Sequence, residues 1–274
     1  MAQSRPKANA VLAEAPAPVA AAQPGLAVSP LLSRFWPPVL AAALLIAAWE
    51  FAVWWFRLPN FVLPTPQEIV SAALEDPQQL MRDTVATVGE AIGGYVAGSV
   101  LGLAIAIAFV MLPFAGRVLM PLYVIVNSVP MIAYGPLAII LLGTGAASKV
   151  VLIIVAVSYT VLVNALAGLR DCDPGIVAML RSFGASDRVI LLKLRIPGAV
   201  PAIFSGLRVA VVHAMILAVV LEMLGASVGL GWSIYKSTQM MSFVEAWVAV
   251  SASVIVSLAV YGLVSFIGRR CIWW

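Results

Sequence analysis

Two groups of residues have types suited to catalysis or metal binding. One lacks the spacing, and the other lacks the number of ligands, that the chemistry needs. Ser205 and His213 supply a hydroxyl and an imidazole, yet they lie eight residues apart on one hydrophobic stretch. On a helix that separation is about 12 Å along the axis, too far for a nucleophile to hydrogen-bond its base. Cys172 and Cys271 have one histidine to join them, too few for a Cys/His metal cluster. The sequence therefore predicts no catalytic residue, no metal site and no cofactor.

Five ionisable residues lie within or at the ends of hydrophobic stretches: Glu50, Glu90, Arg208, His213 and Glu222. A charged group at the centre of a bilayer costs about 2.5–3.5 kcal/mol on insertion scales, so each needs a partner or a function. We expect an interfacial or interhelical role for the three glutamates. Arg208 could extend toward the cytoplasm or face the bundle interior. His213 is either a residue of a substrate path or a histidine that is simply hydrogen-bonded.

The composition predicts a membrane protein. Of 274 residues, 63% are hydrophobic and 10% are charged, with a mean hydropathy of +1.05, whereas soluble domains are about half apolar and a quarter charged. Spanning a bilayer takes about 20 apolar residues, and continuous rather than alternating runs favour helices over a barrel. We predict an all-α protein with about six transmembrane helices, at 37–56, 88–112, 119–142, 150–169, 196–224 and 246–267.

The distribution of Lys and Arg sets the orientation. With the N-terminus inside, the inner segments carry eleven of the 16 basic residues, the outer segments carry four, and Arg208 lies within a span. Basic residues concentrate in cytoplasmic loops, so both termini and the 170–195 loop are predicted to be cytoplasmic in a multi-pass inner-membrane protein. Basic residues in cytoplasmic loops also explain the net charge of +4, so this charge does not indicate binding to nucleic acid. The Ala/Pro-rich residues 1–33 are predicted to be a disordered tail, 34–270 the membrane domain, and 271–274 a short C-terminal tail.

Three further patterns concern local structure. Residues 67–74 have helical apolar spacing after two prolines, which predicts a short outer surface helix whose acidic neighbours are solvated: Glu68, Glu75, Asp76 and Asp83. Two prolines in the third span must interrupt its hydrogen-bond ladder, which either lines a pathway or only kinks the helix. The polar residues beside them make Asn127, Ser128 and Tyr134 candidates for a substrate path. Small residues predict a close-packing face on the second span: Gly93, Gly94, Gly98 and Gly102.

The 170–195 loop carries the most specific pattern. Asp173 is suited to cap a helix that begins at Pro174, and Gly184 can take the positive φ where that helix stops. Ser186 or Asp187 could then cap a second short helix, 188–193, before the fifth span begins at Pro197. Such a helix–bend–helix either projects from the cytoplasmic face or lies at the lipid headgroups.

The loop resembles the signature loop of binding-protein-dependent ABC transporter permeases. The resemblance is carried by Arg181-Ser-Phe-Gly-Ala-Ser186, followed by Ile196-Pro197, Pro201 and Gly206-Leu-Arg208. Further motifs resemble the branch that serves nitrate, sulfonates and taurine: Leu63-Pro-Thr-Pro66, Val129-Pro130, Gly135-Pro136, Glu222 and Gly229-Leu-Gly231. The resemblance covers roughly residues 37–270.

This resemblance implies a type I ABC importer permease fold and a set of partners. The partners are cytoplasmic ATPase subunits, an extracytoplasmic substrate-binding protein and a second permease copy, within membrane lipid. The implied docking residues are Ala178, Arg181, Phe183, Gly184, Ala185, Asp187 and Arg188. Ala178 stands where the family has Glu, which removes one polar contact.

The chain also lacks a phosphate-binding loop, so ATP hydrolysis would fall to the partner. The implied cargo is a small nutrient, such as a sulfonate, nitrate, a thiamine precursor or an aromatic acid. The alternative is a secondary transporter driven by an ion gradient, which would need paired ionisable residues in mid-membrane and inverted repeats.

Overall fold

A computed structural model describes residues 32–271, and every regular element in that range is helical. The predicted tail at 1–33 lies outside the described residues except for its last two positions, which begin the first helix, and residues 272–274 also lie outside. A 3₁₀ turn, Met131–Tyr134, precedes α5, and a π-helical turn, Leu191–Arg195, precedes α9. The helices are α1 Leu32–Phe56, α2 Pro66–Glu75, α3 Pro77–Met111, α4 Pro113–Ser128, α5 Gly135–Leu142, α6 Ala146–Arg170, α7 Pro174–Ser182, α8 Asp187–Ile190, α9 Ile196–Gly225, α10 Leu230–Gln239 and α11 Phe243–Cys271.

The prediction of about six spans is confirmed, with one span broken. Five described helical segments are long and apolar enough to cross a membrane: α1, α3, α6, the run from α8 through α9, and α11. The predicted third span consists of α4 followed by the 3₁₀ turn and α5, which are bent relative to α4 by 81°. This pair raises the count to as many as six.

The second span begins earlier than predicted. Helix α3 starts at Pro77 rather than at residue 88, because Asp76 caps it by accepting a hydrogen bond from the Gln79 N–H at 3.0 Å. Proline is well suited to the first turn, where its missing N–H is not needed. Polar residues between Pro77 and residue 87 therefore belong to the helix and not to an outer loop.

Residues 49–271 contain the compact helical bundle, whereas the described part of the preceding unit is the beginning of α1. Within the bundle, α3, α6 and α9 enclose two clusters of buried apolar side chains. The predicted glycine face is confirmed at three of its four positions. A Cβ on Gly98 would lie 2.8 Å from the Ile154 carbonyl oxygen of α6, and Gly94 and Gly102 meet α6 equally closely, whereas Gly93 faces open space.

The short helix predicted at 67–74 is confirmed as α2. Thr65 and Glu68 form a reciprocal capping box, with the Thr65 N–H donating to the Glu68 carboxylate at 2.8 Å. Glu75 and Asp76 are exposed, as predicted. The prediction for Asp83 is wrong: its residue is 2% exposed, because it lies on the part of α3 that packs inside the bundle.

Candidate coupling loop, membrane pathway and outer polar cluster

The first half of the 170–195 loop folds as its sequence predicts. Asp173 accepts a hydrogen bond from the Gly175 N–H at 2.7 Å, and α7 begins at Pro174. Gly184 has φ +80°, which a residue without a Cβ adopts without strain. The N–H of Ala185 donates to Leu180 O and that of Gly184 to Arg181 O, at 3.0 and 2.9 Å. These two bonds form a Schellman motif, the arrangement that ends a helix at a glycine.

An apolar stripe on α7 and its cap faces away from the bundle. Ile176, Met179 and Phe183 are 42%, 51% and 80% exposed, and no residue of α7 is buried. Their spacing of three and four residues places them along one side of the helix. Ala178 is also exposed beside them. An exposed apolar stripe of this kind marks a contact surface for another protein or for lipid.

Arg181 and Asp187 are brought together across the Gly184 bend. Their side chains form an ion pair at 3.0 Å and are 59% and 71% exposed. A pair this exposed contributes at most about 1 kcal/mol, so it orients the two arms of the loop more than it stabilises the fold. Arg188 is exposed and forms no ion pair within the described residues.

The second half of the loop differs from the prediction. The expected helix 188–193 is instead α8 from Asp187, and Ser186 precedes it without a side-chain capping bond. A π-helical turn then joins α8 to α9, so the predicted break before Pro197 is absent. The wider i→i+5 bonding of a π turn lets the chain pass into α9 where Pro197 lacks an N–H. The segment from Asp187 to Gly225 is therefore one continuous helical run.

The broken third span satisfies its polar side chains locally. The amide of Asn127 donates to Tyr123 O at 3.0 Å, and the hydroxyl of Ser128 donates to Val124 O at 2.8 Å. The Tyr134 hydroxyl reaches Val126 O at 3.4 Å across the break. The structure thus places the three predicted path residues of this span at a bend in the backbone.

The two basic candidates on α9 lie in different environments. His213 is exposed in the described chain, and its Nδ1 lies 3.4 Å from the Thr160 hydroxyl of α6. The Arg208 side chain lies beside Gly268 of α11, and its Nε is buried without a hydrogen-bond partner among the described residues. The structure therefore does not bring Arg208 and His213 together.

A cluster that the sequence did not reveal ties α3, α6 and α9 together near the outer ends of α6 and α9. Its members are all buried, and we refer to them as the outer polar cluster: Asp83, Thr87, Glu90, Lys149 and Glu222. Lys149 forms an ion pair with Glu90, and the Thr87 hydroxyl donates to Glu222 Oε2 at 2.9 Å. The expected interhelical role of Glu90 and Glu222 follows directly from these contacts.

The outer polar cluster also fixes the turn between α9 and α10. The N–H of Gly231 donates to Glu222 Oε2 at 2.8 Å, and the N–H of Gly229 donates to Asp83 Oδ1 at 3.0 Å. Gly229 has φ +120°, and a Cβ there would collide with the Glu222 carboxyl group. The spacing of Asp83, Thr87 and Glu90 by four and three residues on one helix face was the signal in the sequence.

Comparisons with known proteins place these features in a family. The described residues form a multi-pass helical membrane protein with an exposed helix–bend–helix between two of its spans. The family model described as binding-protein-dependent transport system inner membrane component matches residues 84–272. A probable ABC transporter permease protein of Haemophilus influenzae is 30% identical over 240 residues, which cover 88% of this chain and 98% of that protein. The chain belongs to this family and is a multi-pass permease of the bacterial inner membrane.

Two further comparisons bear on the branch and the fold. The taurine transport system permease protein of Escherichia coli is 30% identical over 233 residues, which cover 82% of each chain. A solved structure of the methionine ABC transporter MetNI, in an inward-facing conformation, matches with a TM-score of 0.53 at 18% identity. That match covers 70% of this chain and 92% of the other, and it confirms the predicted permease fold.

Proposed function

We propose that this chain is the membrane-spanning subunit of an ATP-driven importer and that its 170–195 loop docks a separate cytoplasmic ATPase. The observation that carries the proposal is the exposed apolar stripe on α7, which ends at the glycine cap and is followed by α8, itself continuous with a membrane span. The family membership supplies the class of partner. ATP binding would close a pair of ATPases and move the docked loops, and hydrolysis would reset them.

The docking contact is proposed to be mainly apolar. Phe183 is the most exposed residue of the stripe and is suited to enter a pocket on the partner, as aromatic anchors do. Ala178 removes the acidic contact that the family has at that position, and Ala185 is half-buried at the bend. Because Asp187 already pairs with Arg181, Arg188 is the charged residue most available to the ATPase.

The continuous run from Asp187 to Gly225 supports a lever. A displacement of the docked loop would pass through α8 and the π turn into α9, because no loop interrupts the helix. His213 lies on that run, on the side of α9 that faces Thr160 of α6. Motion of α9 would therefore change the surroundings of His213 directly.

We propose that the substrate path passes His213 and the bend at Asn127, Ser128 and Tyr134, with a second copy of the chain completing it. Exposed polar groups on membrane helices are tolerated where they line a cavity or meet another chain. Arg208 would contribute only if α11 also borders the path, since its guanidinium group lies beside Gly268.

The cargo is proposed to be a small, anionic or organic nutrient delivered by an extracytoplasmic binding protein. Relatives of this chain are named for taurine, for aliphatic sulfonates and for nitrate import. Others are named for formylaminopyrimidine and riboflavin transport. Taurine, aliphatic sulfonates and nitrate are small and carry an acidic or anionic group. The proposed path suits such cargoes, because its exposed candidate residues include His213 but no carboxylate.

The outer polar cluster is the one observation that favours an ion-gradient transporter. Glu90, Lys149 and Glu222 are buried ionisable groups in contact, of the kind that bind coupling ions. Secondary transporters place such groups near the midplane between repeats. Here Lys149 lies in the first turn of α6 and Glu222 in the last turn of α9, so the cluster lies toward the outer ends of these helices. We therefore assign the cluster to the packing of the outer side.

The test is uptake into proteoliposomes that contain the protein as purified with its partners. Labelled taurine and nitrate would be supplied with the binding protein, first with ATP and no ion gradient, and then with a proton or sodium gradient and no ATP. We expect uptake in the first condition only, and a non-hydrolysable ATP analogue should abolish it. Uptake that follows the gradient and ignores ATP would contradict the proposal.

A further inference from the structure

A basic cavity of about 250 Å³ lies beneath the coupling loop at the cytoplasmic ends of the membrane helices. Three basic residues line it, Arg170, Arg181 and Arg195, together with Asp187. A water molecule occupies about 30 Å³ in the liquid, so a phosphate group with its hydration fits in this volume. The cavity is distinct from the exposed stripe on α7.

The charges of the cavity do not balance. Asp187 is already paired with Arg181 at 3.0 Å. Among residues 32–271, no carboxylate oxygen lies within 4.0 Å of a side-chain nitrogen of Arg170 or Arg195. Two arginines that line the cavity therefore have no carboxylate partner, and two positive charges held close together favour an anion that can accept hydrogen bonds from both.

The remaining wall of the cavity is apolar and belongs to the ends of spans. Phe109 and Met111 come from the last turn of α3, and Arg170 is the last residue of α6. Phe109 is 3% exposed, so the apolar wall is continuous with the packed bundle. A ligand in this cavity would contact apolar side chains on one side and arginine residues on the other. Basic pockets between membrane helices on the cytoplasmic side have the chemistry that binds phospholipid headgroups.

We propose that this cavity binds the phosphate group of an anionic phospholipid of the cytoplasmic leaflet, with Arg170 and Arg195 as its two ligands. The site goes beyond the proposed function, because it requires neither cargo nor ATPase. A lipid bound there would also lie against Ile190 and Leu191, where α8 joins the π turn, and so would stabilise the position of the loop.

The test measures binding of labelled phosphatidylglycerol to the purified full chain in non-ionic detergent, with phosphatidylcholine as the neutral reference. Arg170→Gln/Arg195→Gln is expected to weaken phosphatidylglycerol binding by about 100-fold, since each guanidinium–phosphate contact contributes roughly tenfold. Arg170→Lys/Arg195→Lys keeps both charges but loses the planar fork, and should lose about tenfold. Lys193→Gln removes an exposed charge from the same segment outside the cavity and should change binding by less than about twofold.

Several results would overturn the proposal. Equal affinity of the wild type and Arg170→Gln/Arg195→Gln would remove the site, provided that both proteins elute as one folded species. Equal loss of binding in Lys193→Gln would reduce the site to general charge attraction, and equal binding of phosphatidylcholine would show that the cavity does not select an anionic lipid. Displacement of the lipid by millimolar inorganic phosphate would assign the cavity to a soluble anion. If Arg170→Gln/Arg195→Gln lost a co-purifying ATPase but still bound the lipid, the cavity would be assigned to protein docking.

Discussion

The buried carboxyl group of Glu222 leads us to expect different losses of stability when it is replaced by Ala and by Gln. Its residue is fully buried, and its Oε2 accepts hydrogen bonds from the Thr87 hydroxyl at 2.9 Å and the Gly231 N–H at 2.8 Å. Its Oε1 and the Oε2 of Glu90 have no hydrogen-bond partner among the described residues. Glu222→Ala removes the acceptor, whereas Glu222→Gln keeps an oxygen that can accept from the Thr87 hydroxyl and the Gly231 N–H.

The magnitudes follow from the contacts. Hydrogen bonds to a charged group contribute about 1.5–3 kcal/mol each, so losing two of them in Glu222→Ala costs about 3–6 kcal/mol. For chains of about this size, ~1 kcal/mol corresponds to ~2–4 °C in Tm, so the expected drop is on the order of 10 °C. Glu222→Gln should cost less, about 1–3 kcal/mol, because it keeps the accepting oxygen but buries the N–H donors of its amide.

The assay is thermal unfolding of the purified protein in detergent, followed by the fluorescence of its 8 tryptophans. Lys149→Met gives a further arm: it leaves Glu90 buried without its cation and should destabilise by about 3–5 kcal/mol. A Tm for Glu222→Ala within about 1 °C of the wild type would refute the reasoning. So would a Glu222→Gln variant that is as unstable as Glu222→Ala.

Four other predictions concern the loop, the packing and the path. Gly184→Val should uncouple ATP hydrolysis from uptake, because a β-branched residue resists φ +80°, whereas Gly184→Asn should retain coupling in the same ATPase and uptake assays. Gly102→Val should lower Tm, and with it the yield of monodisperse protein on size exclusion, because its side chain would enter the α6 backbone. Gly93→Val, at a position in open space, is the matched control. Asp83→Ala should expose the turn before α10 to faster hydrogen exchange by leaving the Gly229 N–H unpaired, and unchanged exchange there would contradict the contact. His213→Ala should change the KM or kcat of uptake while leaving Tm within about 2 °C, and wild-type uptake kinetics would exclude it from the path.

The features that the sequence predicts are those with a local cause. The coupling loop is one example: the Asp173 cap, the Pro174 start and the glycine at the bend each act within a few residues, and the structure contains all three. The continuous apolar runs likewise predict the spans, because length and hydropathy are sufficient to identify a membrane helix. The capping residues of α2 belong to the same class.

The features that the sequence did not predict depend on contacts between distant segments. Asp83 was expected in water because its neighbours are acidic, yet its partner is the N–H of Gly229, 146 residues away. Lys149 counted as an outer basic residue, but it is buried against Glu90 on another helix. The third span is bent by 81°, and the 3₁₀ turn at the bend contacts α6 and α9. None of these partners can be paired from one sequence, because hydropathy does not record which helix faces meet.

The central claim is that the exposed loop docks an ATPase, and co-purification tests it most directly. The full chain would be purified from native membranes in mild detergent and its partners quantified for the wild type, Phe183→Asp and Met241→Asp. Phe183 and Met241 are 80% and 78% exposed, but Met241 lies in the outer turn after α10. We predict an ATPase in comparable amount with the wild type and Met241→Asp, and its loss with Phe183→Asp. An ATPase retained by Phe183→Asp, or absent from the wild type while the protein moves solute on an ion gradient, would contradict the claim.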